Sequence, residues 1–237
     1  GSITAVKGGT YDKKTGIARY SAAVEKPSYT YATGSNAVAL TVEFTLDMSK
    51  LPKSPFTDVT AGAWFYDAVL YAYNKGLMVG TSDTAFGPDV PMTRAMLVAV
   101  LHRLAGSPSV SGKMPFTDVE ADTWYTEAVL WAYQNDIVAG TSDTTFEPLS
   151  NITREQIVAI FSRYTAKFAP DKAKATAELT AFADSASVSD WAVNDMKWAV
   201  AQKIIGGREN GGRLYLAPQG NASRAEVATI LMQYCAL

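Results

Sequence analysis

Three arginines share one local setting. "MTRAM" at 92–96, "ITREQ" at 152–156 and "ASRAE" at 222–226 place Arg94, Arg154 and Arg224 directly after a hydroxyl residue and ahead of an apolar helical run. Thr93, Thr153 and Ser223 read as N-caps. Gln156 and Glu226 fit the fourth place of a capping box, which Met96 cannot fill. Capping needs no arginine, and the helix dipole opposes a cation in the first turn by about 0.3–1 kcal/mol. An anion at the helix start reverses that balance. Free backbone N–H groups there bind carboxylate or phosphate, and a guanidinium adds a planar two-donor fork matched to a carboxylate. The competing explanation is an ion pair across the fold to an acid such as Asp58 or Asp118.

Other chemistry has little to work with. His102 is the only histidine and falls inside an expected helix, where it reads as a half-exposed helical residue rather than a catalytic base. Cys235 is the only cysteine, which excludes an internal disulfide and a cysteine-based zinc site. No P-loop, H-E-x-x-H or nucleophile elbow is present, and no spacing singles out a carboxylate pair for glycoside cleavage. We therefore expect no catalytic residues, no metal and no cofactor. A net charge of −2 gives no electrostatic footprint for nucleic acid. No apolar run is long enough to span a bilayer, so no membrane insertion is expected. The start lacks a secretory n-region and h-region, and Gly1–Ser2 reads as a cloning scar.

The elements that must hold the arginines recur with them. Residues 56–105 align with 116–165 without a gap at an offset of 60, and 23 of those 50 positions are identical. A third copy begins at Phe182, with one extra residue before Trp191 and three more between Gly207 and Leu216, which replaces Phe86. Each copy reads as helix, loop, helix. In the first, the helix in "WFYDAVLYAYNKGLM" starts about Trp64 and closes at Gly76, where φ > 0 is easy. The second, "RAMLVAVLHRLAG", carries an apolar stripe of Leu97, Val100, Leu101 and Leu104. Two short helices bury little surface alone, so stacked copies should share one core. Period alone leaves open a solenoid or a closed pseudo-trimer. Residues 1–54 differ: 37–46 alternates as a half-buried strand and 16–24 suggests another. This part reads as the end of an upstream β domain or as strands docked on the helical body.

F-x-D-V, then Trp, Gly, F-x-P and T-R-x-E/Q, three times over, resembles the surface-layer homology (SLH) domain family across 56–237. The resemblance implies three helix-loop-helix repeats packed as a pseudo-threefold trimer, which with the β-rich N-terminal segment read above gives a mainly α fold. The corresponding spans are 1–54 for that segment, then 55–106, 115–166 and 181–237 for the repeats. It also implies a non-catalytic anchor that binds secondary cell-wall polysaccharide bearing pyruvate ketal groups, in grooves between repeats. Such an anchor would hold a secreted protein, with further domains fused upstream, at the cell wall or S-layer of a bacterium. A protein–protein module of a surface-layer assembly is the alternative. Two departures stand out. Only Glu226 keeps the glutamate of T-R-A-E, and "GRENGG" at 207–212 replaces "GTSDT" in the third copy.

On that reading Arg94, Arg154 and Arg224 contact the ligand carboxylate. Gly80, Gly140 and Gly207 either let the backbone approach a ligand or only permit the turn, and Thr81, Thr141, Ser82 and Ser142 follow them as contact candidates. Asp58, Asp118 and Asp184 join the candidate site, though tying loops is their simpler role. Trp64, Trp124 and Trp191 read first as core residues and second as sugar platforms. Phe86, Phe146, Pro88 and Pro148 look like loop anchors into the core.

Overall fold

The structure is a computed structural model that describes residues 54–237 in full and, of the rest, the backbone of three strands. The chain divides into two units, 1–53 and 54–237. In the first, β1 (Ser2–Asp12), β2 (Ile17–Glu25) and β3 (Leu40–Asp47) form an antiparallel sheet in that order. The expected strands at 16–24 and 37–46 correspond to β2 and β3, with 16 and 37–39 outside the described residues. β1 went unread because "KGGT" interrupts its pattern; its register with β2 shifts between Lys7 and Thr10, where those glycines lie.

In the second unit each copy supplies two helices: α1 (Tyr66–Asn74) and α2 (Arg94–Leu104), α3 (Thr126–Gln134) and α4 (Arg154–Phe168), α5 (Val193–Ala201) and α6 (Arg224–Cys235). α1 starts two residues later than the sequence suggests, because 63–65 form a turn that closes with Tyr66 N–H donating to Ala63 O. It ends at the left-handed Gly76 (φ 68°); the same corner in the other copies is taken by Asp136 (φ 61°) and Lys203 (φ 58°), where a side chain strains the turn. The second helices begin as expected. Thr93, Thr153 and Ser223 each accept from the N–H three residues on, and the capping box is complete at Gln156 and Glu226 but not at Met96. The three extra residues of copy three become a small hairpin, β4 (Arg208–Asn210) and β5 (Arg213–Tyr215), turned at Gly211 and Gly212 with φ of 58° and 74°.

The main helix packing crosses copy boundaries: α2 lies on α3, α4 on α5, and α6 on α1. Backbone hydrogen bonds repeat the same circuit. Ile152 N–H donates to Met92 O (2.9 Å), Ala222 N–H to Ile152 O (3.3 Å) and Met92 N–H to Ala222 O (2.8 Å). Antiparallel bridges Thr93–Asn151, Thr153–Asn221 and Pro91–Ser223 flank that ring. An open solenoid would leave the first and third copies apart; here they are bonded to each other. Met92, Ile152 and Ala222 are fully buried within one continuous core. Phe86 and Phe146 are fully buried loop anchors, with Leu216 taking that role in copy three.

Candidate functional site

The helix N-termini are not free for an anion, contrary to the sequence expectation. Arg94 N–H donates to Ser150 O (3.0 Å) and Ala95 N–H to Pro148 O (2.9 Å); Arg154 and Glu155 meet Gly220 O and Pro218 O, and Arg224 and Ala225 meet Val90 O and Pro88 O. The next copy's loop supplies the carbonyls that complete each helix start, as an orphan donor requires. The arginine side chains follow the same loop. Arg94 Nε donates to Phe146 O (2.8 Å) and Nη2 to Ala139 O (3.3 Å), with the guanidinium 4.6 Å over the Phe146 ring. Arg224 Nε donates to Phe86 O (2.9 Å), Nη2 reaches Val79 O, and the guanidinium lies 4.5 Å over Phe86. Arg154 Nε donates to Leu216 O (2.7 Å), has no ring beneath it, and lies 3.5 Å from Glu226 Oε1. The expected ion pairs to Asp58 or Asp118 are thus replaced by carbonyl and ring contacts. All three arginines are buried, which works against their charge.

Each guanidinium keeps part of its surface toward a groove, and three grooves result. The copy-two groove, about 390 Å³, is lined by Arg94, the loop Val138–Thr141, Gln156, Ile160 and Arg163 of α4, and Trp191. The copy-one groove, about 240 Å³, has Arg224, the loop Met78–Thr81, Met96, Val100 and Arg103 of α2, and Trp124. The copy-three groove, about 310 Å³, has Arg154, the loop 204–208, Glu226, Ile230 and Gln233 of α6, and Trp64. In every case one copy lends the arginine, the next its loop and second helix, and the third its tryptophan.

The tryptophans overturn the core reading. Trp64, Trp124 and Trp191 are 67%, 58% and 54% exposed. They precede the first helix rather than lie on its inner face; Trp64 and Trp124 stand edge-on to the neighbouring ring, Phe65 at 5.3 Å and Tyr125 at 5.1 Å. Solvent-facing indoles beside a groove suit sugar rings, whose apolar faces stack on aromatics.

Other candidates are loop structure. Asp58 accepts from Phe86 and Gly87 N–H (2.8 Å each), Asp118 from Phe146 and Glu147, and Asp184 from Leu216 and Ala217. None of these aspartates lines a groove. Burial pushes the Asp58 carboxyl up, but the backbone donors of Phe86, Gly87 and Asp58 itself, together with the Arg224 charge, outweigh it and hold it below its ordinary value. A Cβ on Gly80 would lie 2.3 Å from Ser82 O, and one on Gly140 2.1 Å from Ser142 O, so the loop itself demands these glycines. Gly207 is left-handed (φ 79°) and packed against Phe182. Thr81 and Thr141 do line their grooves, whereas the exposed Ser82 and Ser142 accept from Ala85 and Thr145 N–H within their own loops. His102 is buried rather than half-exposed. Its Nε2 lies 2.9 Å from Pro108 O, an acceptor only, so that nitrogen carries the proton.

Sequence reasoning missed the second cation of each groove. Arg103 and Arg163 are seven residues, two helical turns, beyond Met96 and Gln156 and share their face. In copy three that position is Gln233, and the cation is Arg208 on the loop, where the other copies have Thr81 and Thr141. Each groove therefore gathers two guanidinium groups, which disfavour one another: Arg94 with Arg163, Arg224 with Arg103, and Arg154 with Arg208. Among the described residues, none lining the copy-one or copy-two groove is acidic.

A model of the S-layer homology domain matches residues 55–95, 115–158 and 181–228. The chain belongs to the S-layer homology domain family. This three-copy S-layer homology chain is a surface-anchoring module of the bacterial cell wall or S-layer. It is 32% identical over 168 residues to an amylopullulanase of Thermoanaerobacterium thermosulfurigenes, covering 71% of this chain and 9% of that protein. It is 30% identical over 183 residues to an endoglucanase of Bacillus sp. strain KSM-635 (77% and 19%) and over 166 residues to the surface-layer 125 kDa protein of Lysinibacillus sphaericus (69% and 13%). The chain thus spans under a fifth of these relatives, and their enzymatic names describe much longer proteins.

Proposed function

We propose that this module anchors by gripping an anionic secondary cell-wall polysaccharide, with a pyruvate-ketal carboxylate seated between paired arginines and the sugar face against a groove tryptophan. The three repeats, 55–106, 115–166 and 181–237, act as one pseudo-threefold body and catalyse nothing, and larger domains are fused to them in the full-length protein. The observation that carries the reading is the pairing of Arg94 with Arg163 and of Arg224 with Arg103, in grooves with no acidic lining among the described residues, beside exposed Trp191 and Trp124. Two like charges held together repel, and an anion between them relieves that repulsion. A carboxylate does so with charge-assisted hydrogen bonds from both. The clamp arginines also serve the fold, so truncating them confounds binding with stability. Arg163→Gln and Arg103→Gln are the variants of choice, because Gln233 already occupies that position in copy three; Arg103→Gln also removes the Arg103 Nη1 bond to Leu77 O (3.1 Å), so its fold is checked first.

The test is sedimentation with purified cell walls before and after the non-peptidoglycan polymer is stripped, then calorimetry with an N-acetylhexosamine methyl glycoside with and without its pyruvate ketal. Binding of the ketal form alone, weakened about tenfold or more by Arg163→Gln together with Arg103→Gln, is expected from loss of a charge-assisted hydrogen bond per groove. Equal binding to stripped walls, or indifference to the ketal, refutes the reading and favours a protein partner.

A further inference from the structure

We infer that the three grooves are not equivalent, and that the copy-three groove is already filled by a carboxylate of the chain itself. Glu226 occupies the helix position held by Met96 and Gln156 in the other copies. Arg208 grips it with a two-point fork, Nε to Oε1 at 2.8 Å and Nη2 to Oε2 at 2.7 Å, while Arg154 approaches Oε1 from the other side at 3.5 Å. The Glu226 side chain is only 18% exposed, and its Oε2 also accepts from Ser223 N–H (3.0 Å). In the other two grooves the paired arginines face a methionine or an amide; in this one they face an anion held at bonding distance. An incoming carboxylate would have to displace Glu226 from Arg208, exchanging one carboxylate for another. It would also leave the Glu226 carboxylate beside the newcomer, two negative charges that repel at close range. Arg208 is the latch and Glu226 the resident anion, so residue 226 decides whether this groove accepts an acidic sugar.

This inference rests on the proposed groove function, and the experiment separates the two. The chain has five tryptophans, one in each groove (Trp64, Trp124, Trp191) and two buried (Trp131, Trp198) that serve as controls. The full chain is labelled with 5-fluorotryptophan and titrated with the pyruvate-ketal N-acetylhexosamine glycoside, followed by fluorine NMR. The Trp124 and Trp191 signals should shift and saturate while Trp64 stays put, with calorimetry giving two sites per chain. Glu226→Gln, which retains the capping box as Gln156 does, should bring Trp64 into the titration and raise the count to three, with at least a tenfold gain in affinity at that groove. Glu226→Met, the copy-one residue, should act the same way. If Trp64 titrates in the parent chain alongside the other two, the grooves work but this inference is wrong. If Trp64 remains silent in both folded variants, the inference is likewise wrong. If no groove tryptophan moves in any form, the groove function falls and this inference with it.

Discussion

Arg94→Met tests the clamp directly. The substitution keeps an apolar stem of similar reach and removes the donors. It takes away the Nε bond to Phe146 O at 2.8 Å, the longer Nη2 bond to Ala139 O at 3.3 Å and the guanidinium 4.6 Å over the Phe146 ring. A hydrogen bond to a charged group contributes roughly 1.5–3 kcal/mol, and the longer bond is worth less than that. The ring contact adds about 0.5–2 kcal/mol. Against these stands the cost of burying a charge, which methionine avoids. The net loss should be about 3 kcal/mol. In a domain of this size each 1 kcal/mol lowers Tm by about 2–4 °C, so the expected drop is about 6–12 °C. Arg94→Lys keeps the charge but cannot span both carbonyls, and should fall roughly midway. Thermal unfolding followed by far-UV circular dichroism, with the transition checked for reversibility, is the assay. An Arg94→Met chain melting within about 2 °C of the parent would refute the clamp and return the arginine to ligand contact alone.

Deleting 182–237 should unfold or aggregate the helical remainder, because α1 loses α6 and α4 loses α5; a soluble, cooperatively melting 54–181 fragment with undiminished Tm would contradict this. Lys203→Gly should raise stability by about 0.5–1 kcal/mol, since it removes side-chain strain at a left-handed corner (φ 58°) that Gly76 fills in copy one, and chemical denaturation measures it. The Asp58 carboxyl is held below its ordinary value of 3.8, so its stabilisation is present above that pH and lost as pH falls through the lower folded-state value. Asp58→Asn should therefore be less stable than the parent at pH 6, with the gap narrowing as pH falls below the ordinary value of 3.8, as read from Tm against pH; a constant gap would show that the charge plays no part.

The repeat, its caps and its loop anchors were legible because they are local. Thr93, Gly76 and Phe86 act on residues within their own copy or on a core that any stacking would supply. The tryptophans and helix starts were misread for the opposite reason. Whether Trp64 is covered depends on where the turn at 63–65 releases the chain, and whether Arg94 N–H is free depends on a carbonyl more than fifty residues away, Ser150 O. Nothing within one copy encodes that partner. Arg103 and Arg163 were legible in principle, since they share a helix face with residue 96 or 156, but an arginine near a helix C-terminus has an ordinary electrostatic explanation and drew no notice.

The circuit of lending, in which each groove takes its arginine, its loop and its tryptophan from three different copies, constrains how such a module can change. A change that shifts a whole copy is never private to one groove. A change that reshapes copy two touches its own loop and helix, the arginine it lends to copy three and the tryptophan it lends to copy one. Grooves therefore cannot be tuned as independent cassettes, and removing any copy dismantles all three at once. Divergence has room mainly at positions used by a single groove, such as residues 96, 156 and 226 and the loop residues 81, 141 and 208. At those places the copies of this chain differ in chemical character (Met96, Gln156, Glu226) or two agree against the third (Thr81 and Thr141 against Arg208).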